Sequence, residues 1–150
     1  MGERRVVVTG MGALTPIGKN VSEFWDGLVS GKSGTHAIEH FDTTDFPTKF
    51  AAEISDYDSS DYFDRREARR MDKVSQYGLV AAQEALEDSG IDLDAINKDR
   101  VAVIVGTGIG GMITFYEQAV EFHEYGPRGV SPFFIPKLIP DMVAGNISIK

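Results

Sequence analysis

Apolar positions along this chain change period several times, and each change marks an element. Residues 4–9 (RRVVVT) are a short β-branched run closed by Gly10 and Gly12, which predicts a strand. Asn20 followed by Glu23 has capping-box spacing. Val21, Phe24, Trp25 and Leu28 then recur on one helical face until Gly31, predicting a helix with those four side chains inward. Residues 32–64 are rich in turn formers (FDTTDFP, SDYDSSD) and carry one short extended piece, KFAAEI. From about Asp72, the residues Val74, Gly78, Ala81, Ala82 and Ala85 repeat at helical spacing, and Gly90 closes the run. So small a face predicts close packing against another backbone. In VAVIVGTGIGG (101–111) alternation is lost because nearly every position is apolar, the pattern of a strand covered on both faces. A third helix is predicted over 112–125, with Met112, Phe115, Tyr116, Ala119, Val120 and Phe122 apolar and Gly126-Pro127 as its stop. SPFFIPKLIP is too broken by proline for a regular element, whereas Pro140 and Asp141 suit the start of a helix over the remaining residues. Strand and helix alternate, so the class is α/β. Only two strands are clear and no cap precedes Lys150, so residues 1–150 are expected to be the front part of a longer protein, ending inside the fold.

Composition narrows the chemistry. The chain has 150 residues, 42% hydrophobic and 25% charged, which is ordinary for a globular domain. No apolar run is long enough to span a bilayer, and none resembles a signal sequence, so a cytoplasmic location is expected. A net charge of −8 argues against nucleic acid or an anionic membrane as a partner. With zero cysteines, a disulfide framework, a thiolate metal site and a cysteine nucleophile are excluded within these residues.

Several motifs imitate known sites. Gly106, Gly108 and Gly111 match the dinucleotide spacing G-x-G-x-x-G, but the acidic residue expected roughly 20 positions on falls at Glu121 or Glu124, inside the third helix. No second strand follows. VVVTGMGALTPIG fails the short-chain dehydrogenase pattern at Leu14, and SGKSG fails the phosphate-loop pattern at Asp26. His36, Glu39 and His40 spell H-x-x-E-H, yet they sit among loop formers rather than on the helix that zinc ligation needs. Neither metal nor cofactor is expected. The segment DRREARRMDK is more informative: Arg65, Arg66, Arg69, Arg70 and Lys73 are one third of the 15 basic residues. Like charges four apart oppose an isolated helix, so something offsets them. Two readings stand: salt bridges to Asp64, Glu67 and Asp72, or a docking face for an acidic partner.

Five stretches taken together, RRVVVTGMGALTPIG, FDTTDFPTKFAAEI, EARRMDKVSQY, VGTGIGG and SPFFIPKLIPDMVAGNISI, occur in order over nearly the whole chain. They resemble the N-terminal part of the elongating β-ketoacyl-[acyl-carrier-protein] synthases. The resemblance implies a thiolase-like layered αβαβα fold and a homodimer. It also implies a decarboxylative condensation of an acyl thioester with malonyl-acyl carrier protein in fatty-acid elongation, with no metal or nucleotide. The family's cysteine, histidines and lysine match no position in residues 1–150, so no catalytic residue is expected here. By resemblance, Arg65, Arg66, Arg69 and Arg70 lie where acyl carrier protein docks. Gly108, Ile109 and Met112 line the acyl tunnel, and Phe134 closes it from across the dimer interface. Alternatives are a non-catalytic partner subunit of the chain-length-factor type and a polyketide ketosynthase.

Overall fold

The structure, a computed structural model, describes residues 5–150, so Arg4 of the first predicted strand lies outside the described residues. Contacts divide the chain into two units, Met1–Tyr57 with Val80–Ile91, and Asp58–Leu79 with Asp92–Lys150.

In the first unit, Val6 and Val8 are 91% and 80% exposed, and no strand pairs with residues 5–9. This corrects the expected strand. A strand satisfies its backbone only through a neighbour, and none is offered among the described residues. The chain instead becomes anchored at its glycines. A Cβ on Gly12 would lie 1.9 Å from the carbonyl oxygen of Ala81, and one on Gly10 would lie 2.1 Å from that of Ala85. These are the small-residue positions of the predicted second helix, so the close backbone approach is present. Acidic side chains of that helix serve the free amides alongside: Met11 N–H donates to Asp88 (2.9 Å) and Ala13 N–H to Glu84 (2.8 Å).

Helix α1 spans Val21–Ser30, begins at Asn20, whose side chain accepts from the Glu23 amide, and ends at Gly31 in the left-handed region (φ 70°). Glu23 returns its carboxylate to the Lys19 amide, one residue before the Asn20 amide of the usual box. The buried residue of α1 is Gly27; Trp25 and Leu28 are exposed and Val21 and Phe24 half-buried. Among the described residues the expected inward face is therefore only partly covered in this unit. Strands β1 (Thr35–Ala37) and β2 (Phe50–Ala52) pair antiparallel, His36 opposite Ala51. KFAAEI thus is a strand, and the histidine-bearing segment supplies the partner that periodicity missed.

The second unit holds the short helix α2 (Arg65–Ala68) and the first part of α3 (Lys73–Ser89), whose later turns belong to the first unit. It also holds α4 (Met112–Tyr125), α5 (Phe134–Leu138) and α6 (Met142–Ile149). The third predicted helix matches α4 at both ends. SPFFIPKLIP contains α5, which was not expected; Pro136 falls in its first turn, where a missing N–H costs nothing. Met71, Leu79 and Val143 are buried together with Ser75, and a Cβ on Gly78 would lie 2.5 Å from Val143, so α6 packs where α3 is smallest. Residues 101–107 form no hydrogen-bonded strand, and Ile104 is 92% exposed. The doubly covered strand expected there is corrected for the same reason as the first.

Candidate docking face and acyl-pocket turn

Arg65, Arg66, Arg69 and Arg70 come together because Asp64 starts a helix in front of them. The Asp64 carboxylate accepts from the amides of Arg66 (2.7 Å) and Glu67 (2.8 Å). Those bonds, the Glu67 one foremost, hold its carboxyl below the usual carboxylate range. The four exposed guanidiniums, with Ser131 and Phe133, line a surface depression of about 560 Å³. Arg70 lies over the Phe133 ring, 5.2 Å from its centroid, a cation–π contact.

The three carboxylates that could neutralise this patch are engaged elsewhere. Asp64 caps α2, Glu67 pairs with Lys150 at 2.7 Å, and Asp72 is buried against α4. Among the described residues no ion pair reaches any of the four arginines. Of the two readings of DRREARRMDK, internal salt bridging is thus reduced to the field of Arg66 on Asp64, which helps to keep that carboxyl ionised. What remains is a concentrated, solvated positive field with an aromatic floor on an acidic chain, a surface suited to an anionic macromolecule.

The expected pocket residues lie on neighbouring elements. Gly108 and Ile109 stand in the turn before α4, Met112 is the first residue of α4, and half-buried Phe134 is the first residue of α5. Helices α4 and α5 pack on each other. The turn is pinned at its far end: Gly110 N–H donates to Thr107 Oγ1 (3.0 Å) and Gly111 N–H to the Leu138 carbonyl (2.9 Å). A Cβ on Gly111 would lie 2.2 Å from the Lys137 carbonyl, whereas around Gly108 the space is open. Ile109 is 67% exposed and Met112 also faces outward, so these side chains present an open apolar edge.

Two participants escape sequence reasoning. Phe133 joins the arginines from more than sixty residues away, and no local pattern announces it. Asp72 (4% exposed) accepts at Oδ1 from the Val74 amide (3.1 Å), at the start of α3. Its Oδ2 accepts from both the amide (3.0 Å) and the hydroxyl (2.6 Å) of Thr114, which is 2% exposed in the first turn of α4. Its place before α3 is legible as a cap; its second helix is not. Burial raises the nearby Tyr77 phenol, and the Asp72 charge adds to that rise.

The H-x-x-E-H residues are strand and loop, not helix. The ring of His36 faces the Ala37 carbonyl (2.8 Å) and Ser55 Oγ (3.1 Å), while His40 Nδ1 meets the Glu53 carboxylate at 2.6 Å. Among the described residues no group of three metal-ligating side chains is assembled, and no helix is long and apolar enough to cross a membrane.

The chain combines helices and short strands with a basic depression and an exposed apolar turn, and its matches among solved structures put it in the class of thiolase-like ketosynthase folds. Solved structures agree: the chain is similar to the ishigamide ketosynthase/chain length factor (TM-score 0.86, 30% identity, 99% of this chain and 37% of that one). It is also similar to a chain in the structure of a type II PKS acyl-carrier protein in complex with its ketosynthase bound to the hexaketide (TM-score 0.80, 28% identity, 98% and 38%). Residues 3–150 match the model of the β-ketoacyl synthase N-terminal domain, and the chain belongs to that family. Among relatives, it is 48% identical over 149 residues to the 3-oxoacyl-[acyl-carrier-protein] synthase 2 of Vibrio harveyi, covering 99% of this chain and 36% of that protein. The chain thus spans about one third of the length of the curated relatives it matches.

Proposed function

We propose that residues 1–150 form the N-terminal portion of a β-ketoacyl-[acyl-carrier-protein] synthase of fatty-acid elongation. In this reading they supply its carrier-docking face and part of its acyl pocket. The observation that carries the reading is the set of four guanidiniums gathered on one depression with no carboxylate partner among the described residues. The relatives named as such synthases support it.

The reaction takes an acyl chain from a carrier thioester onto a cysteine thiolate. Loss of CO2 from malonyl-carrier protein generates a carbanion equivalent, which attacks the acyl-cysteine carbonyl and expels the thiolate. With zero cysteines in these residues, the nucleophile and its histidine and lysine partners lie outside them. Here Arg65, Arg66, Arg69 and Arg70 receive the acidic carrier, Gly108, Ile109 and Met112 line the path of the chain, and Phe134 closes it from a second copy in a cytoplasmic homodimer. A second reading, a polyketide ketosynthase or its chain-length-factor partner, is favoured by the similarity to those structures. The higher identity, 48% against 30%, supports the fatty-acid synthase as the first reading.

Reversing all four arginine charges in the full-length enzyme tests the docking role. Carrier-protein affinity should fall by about tenfold or more, with the remainder less sensitive to salt. Affinity equal to the unmodified protein would remove these arginines from the docking face.

A further inference from the structure

Of the four arginines on the depression, Arg70 is held differently from the rest. Its guanidinium lies over the Phe133 ring, 5.2 Å from the centroid, and no carboxylate among the described residues pairs with it. Arg65, Arg66 and Arg69 are exposed and, among the described residues, have no ring beneath them. A planar, weakly hydrated guanidinium can rest on an aromatic face and still offer N–H groups to a carboxylate.

The ring is itself tied down. The Ser131 amide donates to Gln118 Oε1 of α4 (2.6 Å), and the Phe133 amide donates to Ser131 Oγ (3.1 Å). Phe133 also stands at the start of α5, where its carbonyl accepts from the Lys137 amide (3.1 Å). At the other end, the Arg70 amide donates to the Glu67 carbonyl of α2 (3.0 Å). A long side chain with many rotamers is therefore braced twice, by its own backbone on α2 and by a ring fastened to α4 and α5.

From this geometry we infer that Phe133 is a positioning residue of the docking face. It holds the Arg70 guanidinium in place for a carboxylate of the carrier, so that less side-chain freedom is lost on docking. The inference rests on the docking role proposed above. The acyl-loaded and the malonyl-loaded carrier dock in turn, and both meet the same prepared cation. Arg65, Arg66 and Arg69 contribute a field that draws the acidic partner in, whereas Arg70 contributes a contact already in place.

The test is a double-mutant cycle on the full-length enzyme, titrated with acyl carrier protein at several salt concentrations. Arg70→Ala should weaken binding and make it less sensitive to salt, because one charge is gone. Phe133→Leu should weaken binding about threefold or more and keep the salt dependence of the unmodified enzyme, because all four charges remain. In the Arg70→Ala background Phe133→Leu should change nothing further. Phe133→Tyr, which keeps the ring, should bind as the unmodified enzyme does. Unchanged affinity in Phe133→Leu would overturn the inference. So would an equal loss with and without Arg70, which would show that the ring acts by packing or by touching the carrier itself. Should Phe133→Leu fail to fold, Gln118→Ala, which keeps the ring and unties it, takes its place in the cycle with the same outcomes. If Arg70→Ala binds the carrier as tightly as the unmodified enzyme, the docking reading of Arg70 fails first and the inference falls with it.

Discussion

A methyl group added at Gly12 would sit 1.9 Å from a backbone oxygen of α3, a contact that no rotamer change relieves. Gly106, by contrast, has nothing within 4 Å of its would-be Cβ and no positive φ. The two positions look alike in sequence, each following a β-branched run. Denaturant unfolding of the full-length protein should show a cost of about 2 kcal/mol or more for Gly12→Ala. A loss within about 0.5 kcal/mol would mean that residues 10–13 do not ride on α3 as described. The space at Gly108 is open and Ile109 is exposed, and in the proposed function bulk at Ile109 meets the acyl chain rather than the protein. Ile109→Phe should therefore shorten the longest acyl chain accepted without changing the carrier affinity, read from product lengths beside a binding titration. An unchanged product profile would place the acyl chain elsewhere.

Strands β1 and β2 are joined by side chains as well as by their ladder. The Ala37 carbonyl, with that of Glu53 and the nearby carboxylates, favours protonated His36 and raises its pKa, burial opposing. The Glu39 amide and then His40 hold the Glu53 carboxyl below its usual range. For His36, raised in the folded state, the stabilisation is full below the usual imidazole value and is lost as pH rises through the folded one. For Glu53, depressed, it is present above the usual carboxylate value and is lost as pH falls through the folded one. The hairpin is thus tightest in mildly acidic solution. Amide protection at Ile38 and Ala52, corrected for intrinsic exchange, should decline between about pH 6 and 8, and His36→Gln should flatten that decline. Protection that rises over this interval would contradict the hydrogen-bond arrangement at His36. Elements like this also show what a sequence can disclose. The α1 and α3 termini were legible at Asn20, Gly31 and Gly90, because capping is decided by residues three or four apart. The pairing of Thr35–Ala37 with Phe50–Ala52 was not, because a strand is made by a partner across a loop. The arginine patch was visible from charge density alone, whereas Phe133 beneath Arg70 and Thr114 on Asp72 depend on packing that no local period records.

At the scale of the whole molecule, two β-branched runs stand exposed with unpaired backbone. Val6, Val8 and Ile104 are the plainest cases. Burying one such side chain is worth about 1.5–3 kcal/mol, so covering a handful of them amounts to roughly 10 kcal/mol, the same order as the entire stability of a domain. The curated relatives are about three times as long as the span they share with this chain, and in the proposed function their other two thirds supply the covering layers. The consequence is measurable. Residues 1–150 produced alone should bind a hydrophobic dye, melt over a broad range and show no condensation. A chimera joining them to the remainder of the Vibrio harveyi synthase, 48% identical over the matched 149 residues, should melt cooperatively and exclude the dye. Were residues 1–150 to melt sharply as a dye-free monomer, their exposed runs would need no layer. The two glycine-closed runs would then be surface segments held only by the contacts of Gly10, Gly12, Gly110 and Gly111.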